Sequence, residues 1–339
     1  MNIYKVILLN LLFCFQLSAQ NKNKLCIAFY NQENLFDTID TPNKNDDEFL
    51  PQGSYKWNTV KYQNKLANMS KVITAMNGGN GPDFLGLCEV ENDIALKDLS
   101  MELKKNKLEY EIVWFDSPDE RGIDNALLFQ KNVGKLMKSV MYKIDTNGIG
   151  GDNTRGILLA DFLLSNKSRL IILVNHWPSR REGEKESEYK RLFVAQRVKF
   201  ICDSIQKKDP NCALVVMGDF NDYPNNLSIF DIMRAKKEIA DVNALDFYNP
   251  MNGLLDKGMG SYKHKGEWNF LDQFLLNKNL VKGNTKLQYE ANSASTFKEE
   301  WMLETEEKYK GSPKRTFGGK KYLNGYSDHL PIYMYLIKN

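Results

Sequence analysis

The chain predicts an α/β (α+β) protein, and three observations carry that prediction. Short apolar runs rich in Val, Ile, Leu, Phe and Tyr alternate with turns of Gly, Asn, Asp and Pro along the whole sequence. Two longer stretches instead repeat their apolar residues at steps of three and four. No internal repeat and no Pro- or Gly-rich linker divides the 339 residues. Strands and helices should therefore share one domain, with the helices packed outside the strands.

Taken in order, the expected strands are Leu25–Asn31, Phe84–Val90, Glu111–Phe115, Ala126–Gln130, Ile157–Leu164, Leu170–Trp177, Ala213–Phe220, Phe270–Leu276 and Leu330–Ile337. One helix is expected where Leu66, Met69, Ile73 and Met76 fall on one face of a 3.6-residue period, and another where Val194, Val198, Ile201 and Ile205 do so. A shorter one covers Ile94–Lys105. The charged, turn-prone stretches Asp46–Glu48, Arg181–Arg191 and Lys298–Lys321 read as surface loops or solvated helix faces.

The first residues differ from the rest. Lys5 precedes an apolar run from Val6 to Leu17, and Leu17-Ser18-Ala19 ends it with small residues. This is the anatomy of a secretory signal peptide, residues 1–19, which leaves 20–339 as a single domain exported to the periplasm or the exterior. An uncleaved N-terminal anchor is the alternative. Nothing later in the chain has the length of a transmembrane helix. Export permits the bridges Cys26–Cys88 and Cys202–Cys212, with four buried free thiols as the other reading. With 42% hydrophobic and 26% charged residues the chain is not a disordered one. Its net charge of +3 is too small to argue for nucleic acid by itself.

Several polar residues stand at the ends of apolar strands, where burial demands a partner. Asn31 closes the first strand and suits either a metal or a turn cap. Glu89 interrupts a buried run and calls for a cation, whether metal or Lys/Arg. His176 follows Ile171–Asn175 and precedes Ser179-Arg180-Arg181, a setting that suits an anionic ligand as well as a satisfied core histidine. In Gly218-Asp219-Phe220-Asn221 the carboxylate and the amide are two apart, so an extended backbone points both to one side. Asp272 lies within an apolar strand. Asp328 and His329 are adjacent and so face opposite ways, which lets His329 pair with a different carboxylate.

Together, Asn31, Glu89, His176, Gly218-Asp219-Phe220-Asn221, Asp272 and Ser327-Asp328-His329 closely resemble the endonuclease/exonuclease/phosphatase superfamily, from about residue 25 to residue 337, and most of all its exported bacterial members. The resemblance implies a four-layer sandwich of two packed mixed β-sheets flanked by helices. It implies Glu89 as the main ligand of Mg²⁺, with Mn²⁺ or Ca²⁺ as substitutes, Asn31 nearby and Asp328 on the metal side. It implies His329 as general base oriented by Asp272, Asp219 and Asn221 positioning the water or leaving oxygen, and His176 with Arg155 donating to the phosphate. The catalytic domain so described acts, as a monomer, on a phosphate ester, with nucleic acid among the candidates. Abasic-site nucleases place a Tyr near the phosphate from mid-chain, and Arg121–Asn125 offers no match for it.

A nuclease or related phosphodiesterase leads these expectations. Arg180, Arg181, Lys190, Arg191, Lys314, Arg315, Lys320 and Lys321 either form a basic rim for a polyanion or are scattered surface charge. A phosphomonoesterase, or a sphingomyelinase-like diesterase presenting Trp268 or Trp301 to lipid, uses the same core. An inactive secreted binding module is a third reading.

Overall fold

The computed structural model describes residues 23–283 and 285–339, so the expected signal segment lies outside the described residues. The elements run β1 (Lys24–Leu35), α1 (Thr59–Gly79), β2 (Phe84–Val90), α2 (Asp93–Lys105), β3 (Tyr110–Trp114), β4 (Asp124–Gln130), β5 (Gly134–Tyr142), β6 (Ile157–Leu164), β7 (Arg169–His176), α3 (Glu188–Lys208) and β8 (Ala213–Asp219). Then come β9 (Ala235–Lys236), β10 (Phe247–Tyr248), β11 (Tyr262–His264), β12 (Glu267–Asn269), β13 (Asp272–Asn277), β14 (Leu287–Tyr289), β15 (Ser295–Thr296), β16 (Phe317–Gly318), β17 (Lys321–Tyr322) and β18 (Ile332–Lys338).

Two 7-stranded mixed sheets result. The first has the order β14-β18-β1-β2-β4-β3, with β15 also on β18; the second has the order β5-β6-β7-β8-β13-β10-β9. Each contains one parallel pair of long strands, β1 with β2 and β7 with β8, and the long strands flanking them run antiparallel.

The period of two along each strand sorts its side chains into layers. On β1, Leu25, Ile27 and Phe29 enter the core between the sheets, while Ala28 and Tyr30 face the helices. On β8, Ala213, Val215 and Met217 face inward and Leu214 and Val216 outward. Helix α1 covers the first sheet with Leu66, Met69, Ile73 and Met76, and α3 covers the second with Val194, Val198 and Ile201. Each such fully buried aliphatic side chain stabilises the fold by about 1.5–3 kcal/mol. Helix, sheet, sheet, helix is the four-layer arrangement that the resemblance implied.

Two expectations change, and of the two readings of the cysteines one holds. Strand β5 went unforeseen because it is an edge: Lys135, Met137 and Lys138 are exposed, so it lacks the apolar signature of a buried strand. The Arg181–Arg191 stretch is not wholly solvated, since Arg191 is fully buried and Lys190 nearly so. The four described cysteines are buried free thiols. Cys88 pairs with Asn31 across β1 and β2, which puts Cys26 five residues, or about 16 Å, down the neighbouring strand and beyond disulfide reach. Among the described residues no helix is long and apolar enough to cross a membrane.

Candidate active site

The site lies where corresponding ends of the two sheets meet. On the first sheet the β1–β2 register runs regularly to Asn31↔Cys88 and then shifts before Leu35↔Val90. The β2–β4 register shifts between Leu87 and Val90. Inside these irregularities Glu33, Asn34 and Glu89 adopt positive φ of 50°, 62° and 57°. A left-handed Glu costs about 1–2 kcal/mol, so the surrounding pairing must hold it there. The bulge turns the Glu89 carboxylate onto Asn34 N–H at 3.0 Å and Asn31 Nδ2 at 3.4 Å.

On the second sheet the register aligns three polar residues in one row: His176 opposite Asp219, and Asp219 opposite Asp272. Gly218 is required just before Asp219, because a Cβ there would stand 2.2 Å from the Asn175 carbonyl of β7. Asn221 takes φ 50°, a conformation Asn tolerates, and its N–H donates to Asp219 Oδ1 at 2.9 Å. Its Nδ2 donates to the Trp177 carbonyl at 3.1 Å.

The two halves join through Asn31 and the segment before β18. Asn31 Nδ2 donates to Asp219 Oδ2 at 3.0 Å, and the Ser327 hydroxyl donates to the Asn31 carbonyl at 2.8 Å. His329 Nδ1 lies 2.6 Å from Asp272 Oδ2, and its Nε2 lies 3.8 Å from Asp219 Oδ2. His176 Nε2 stands 3.9 Å from both Glu89 Oε1 and Asp219 Oδ2. Glu89, Asn31, Asp219, His176, His329 and Asp272 thus form one contiguous cluster.

Burial sets the charges within it. It raises the Asp219 carboxyl to about 7, with His329 opposing and Asp272 adding to the rise. Burial pushes the His176 imidazole well below its ordinary range, and Arg155 and Arg121 push the same way, so this ring is neutral at pH 7. His329 responds differently. Burial would lower it, but the Asp272 and Asp219 carboxylates outweigh burial and hold it well above its usual value.

Three expected residues have engagements the sequence did not indicate. Asn31 was expected to offer a carbonyl oxygen to a metal. Its Oδ1 instead accepts from Glu33 N–H at 2.8 Å, and the amide NH₂ faces the site. Asp328 is held by Arg315 Nη2 at 2.6 Å, and no hydrogen bond or ion pair joins it to Glu89 among the described residues. Arg155 is anchored by Asp119 at 3.0 Å and by the Trp177 carbonyl at 2.7 Å, which leaves its buried Nε without a partner.

A group missed in the sequence is Glu33 and Lys65, joined by Arg315, which was expected only in the basic rim. Lys65 is buried and donates to Thr316 Oγ1 at 2.8 Å and to the Tyr326 carbonyl at 2.6 Å. Glu33 accepts from Thr316 N–H at 2.6 Å and from Arg315 Nε at 3.3 Å. Burial raises Glu33 to about 7, with Asp328 adding to the rise, and lowers Lys65 to about 8. The network locks the Ser327-Asp328-His329 segment to β1 and α1. One signal was available: Lys65 falls three after Tyr62 and four before Met69, on the apolar face of α1.

The donors suit a hard divalent cation. Glu89 is only partly covered, with a side-chain exposure of 16%, and it is surrounded by oxygen and amide groups. Asp219, Asp272 and His329 also bring one ligand atom each within 4.8 Å of one another. There, however, a cation would compete with the His329–Asp272 hydrogen bond, so the carboxylate of Glu89 is the better holder.

Half of the expected basic rim is neutralised, while Arg181, Lys314, Lys320 and Lys321 make no ion pair among the described residues. Arg191 is bound to Asp222 at 2.6 Å, Arg180 to the same carboxylate at 3.0 Å, Lys190 to Asp152 and Glu182, and Arg315 to Glu33 and Asp328. Trp268 and Trp301 are half-buried, and the β11–β12 hairpin exposes His264, Lys265, Gly266 and Glu267 at its tip.

The model of the Endonuclease/Exonuclease/phosphatase family matches residues 26–338. No curated protein matches the chain. Among solved structures it resembles a humanised TDP2 of D. rerio (14% identity, TM-score 0.55, 92% of this chain and 98% of that one). It also resembles a mannosyl-6-phosphatase of Bacteroides thetaiotaomicron (12%, 0.55, 92% and 99%). A third likeness is the human Nocturnin catalytic domain with bound sulfate (16%, 0.53, 93% and 95%).

Proposed function

Since this chain belongs to the endonuclease/exonuclease/phosphatase family and is with it a phosphoester hydrolase, we propose that it cleaves a P–O bond with water activated at His329, next to Mg²⁺ held by Glu89. The observation that carries the reading is the 2.6 Å contact between His329 Nδ1 and the buried Asp272 carboxylate, beside Asp219. A carboxylate at Nδ1 keeps the proton there, which leaves Nε2 to take a proton from water. Asp219, whose Oδ1 holds the Asn221 N–H, orients that water, and neutral His176 donates to the phosphate. A divalent cation, with Glu89 as ligand and Asn31 and Asp328 beside it, would polarise the phosphate and offset the carboxylate charge that otherwise keeps His329 protonated. Mn²⁺ and Ca²⁺ suit the same oxygen donors.

The reading extends to an exported, monomeric phosphodiesterase of the nuclease kind. The apolar run ending at Ala19 supports export, and mass spectrometry of the native N-terminus tests it: an intact Met1 refutes cleavage. Elution as a dimer in size-exclusion chromatography would refute the monomer. One observation favours phosphomonoesters instead: Arg180, Lys190, Arg191 and Arg315 are each held by carboxylates, which takes half of the expected basic rim away from a polyanion. The polar tip of the β11–β12 hairpin speaks against lipid insertion. The same fold serves both ester classes, since one solved D. rerio TDP2 is complexed with a single-strand DNA product and another similar structure is a mannosyl-6-phosphatase.

The test is hydrolysis of plasmid DNA, RNA, a sphingomyelin, a generic diester and a sugar phosphate by the full chain, with Mg²⁺ and with EDTA. EDTA should abolish turnover. His329→Ala should lower kcat by about 10²–10⁴. Unchanged metal-dependent cleavage by that variant would remove His329 from the reaction.

A further inference from the structure

His329 is gripped from a direction that the two large sheets do not supply. The hairpin β11–β12 precedes β13, and the first residues of that hairpin reach both members of the His329–Asp272 pair. Ser261 is fully buried. Its N–H donates to the Asn269 carbonyl at 3.0 Å, its carbonyl accepts Leu330 N–H at 2.7 Å, and its hydroxyl accepts Asp272 N–H at 3.3 Å. Tyr262 pairs with Asn269 across the hairpin and forms an isolated antiparallel bridge with His329. Ser261 and Tyr262 thus tie the start of β13 to the segment before β18.

The side chains follow the backbone. The Tyr262 ring lies 4.9 Å from the His329 ring, centroid to centroid, and is tilted to it by 37°. Such a tilted pair is a favoured aromatic geometry. His264, two residues on and so on the same face of β11, stacks on Tyr262 at 6.4 Å and is exposed. Three rings therefore run from the solvent-facing tip of the hairpin to the proposed base. Trp268, paired with Lys263, lies on the other face. The contact matters because one hydrogen bond does not fix an imidazole. The second side-chain torsion of His is broad, and the bond from Nδ1 to Asp272 Oδ2 leaves the ring a pivot about that line. Turning about it swings Nε2 away from Asp219 Oδ2, its neighbour at 3.8 Å. A second ring packed against the imidazole removes the pivot.

We propose that Tyr262 is a positioning residue for the reaction: its ring sets the plane of His329 so that Nε2 faces the water beside Asp219, and the bonds of Ser261 hold ring and base in register. The inference rests on the reading of His329 as general base and adds the residue that aims it. The ring makes the contact, so a phenylalanine serves in its place and a flexible or branched aliphatic side chain does not. Misplacing a reacting group by about 1 Å can cost about 10² in rate. The effect belongs to kcat, because Nε2 takes its proton from water in the transition state and does not bind the ground-state ester.

The experiment measures kcat and KM of the full chain, with saturating Mg²⁺ and its best ester substrate, for the wild type, Tyr262→Phe, Tyr262→Leu, Tyr262→Met, Asp272→Asn and the double variant Asp272→Asn/Tyr262→Leu. Circular dichroism checks each fold, and Leu and Met are both made so that one folded variant suffices. His329→Ala is run alongside to test the base itself. We expect Tyr262→Leu and Tyr262→Met to lose about 10–10² in kcat with KM within about threefold of wild type, and Tyr262→Phe to keep kcat within about threefold. In Asp272→Asn, where His329 already presents the wrong nitrogen, adding Tyr262→Leu should cost less than about threefold more. Unchanged kcat in a folded Tyr262→Leu or Tyr262→Met, an equal loss in Tyr262→Phe, a loss confined to KM, or full additivity with Asp272→Asn would overturn the inference. Unchanged turnover by His329→Ala would bring down the base assignment, and hydrolysis of no ester by the wild type the hydrolase reading, each taking this inference with it.

Discussion

Asp272→Asn isolates the His–carboxylate pair with almost no change of volume. In the wild-type site Asp272 Oδ2 meets His329 Nδ1 at 2.6 Å, while Asp272 Oδ1 is buried with no partner among the described residues. An asparagine has two ways to fill this place. With its oxygen toward Nδ1, its NH₂ occupies the position that offers no acceptor, and a buried unmet donor costs about 1–3 kcal/mol. With its NH₂ toward Nδ1, the donor is satisfied and the oxygen inherits the position that was unpaired already. The second orientation therefore wins, and it forces the imidazole proton onto Nε2, the nitrogen that must accept a proton from water. The same wrong-tautomer effect in a serine protease triad lowers kcat by about 10⁴, which corresponds to about 5 kcal/mol of transition-state stabilisation. We expect a fall of about 10³–10⁴ in kcat for Asp272→Asn on the best ester substrate, with KM and the thermal melt nearly unchanged. Steady-state kinetics at pH 8 with saturating Mg²⁺ decides. Activity within tenfold of wild type would show that the carboxylate is not needed to hold the tautomer, and the base assignment would lose its support.

Other expectations concern stability. Asp124 is buried and its carboxyl is raised to about 7, by burial first, with Ser117 opposing. Its folded value lies above its unfolded one, so the folded state binds the extra proton and stability falls as pH rises from about 4 through 7, by on the order of 2–4 kcal/mol. Urea midpoints should drop from pH 5 to pH 8, and Asp124→Asn should flatten that decline; an unaltered slope in the variant would refute the assignment. Asp222→Ala strands the fully buried Arg191 and frees Arg180, so it should cost about 3–5 kcal/mol in chemical denaturation. A cost below 1 kcal/mol would mean that the pair is dispensable. Gly218→Ala drives a methyl to within 2.2 Å of the Asn175 carbonyl, and because backbone cannot yield as a side chain does, we expect at least about 3 kcal/mol of destabilisation in thermal melts and loss of turnover. A variant as stable as wild type would show that the strands can part.

Local chemistry made the layers and the candidate residues readable from the chain alone. Side chains alternate along every strand whatever the strand pairs with, so Ile27 and Phe29, or Val215 and Met217, could be assigned to one face before any partner was known. Gly218-Asp219-Phe220-Asn221 and Ser327-Asp328-His329 are equally local, although Asn221 lies past the end of β8 at φ 50° and meets Asp219 through a turn rather than through the strand alternation expected of it. What the tertiary structure decided is which charge meets which. The β8–β13 register sets Asp272 beside Asp219, and a separate segment brings His329 to them. The bulges of β1 and β2 turn Glu89 into the site and Glu33 onto Thr316 and Arg315, and Lys65, Arg191 and Arg315 find carbonyls and carboxylates far along the chain. A charged group in water is satisfied anywhere on the surface, so its residue type alone does not say whether it is buried. Its partner is chosen only when packing removes the water and the Coulomb interaction, weak at high dielectric, becomes strong enough to select one neighbour over another.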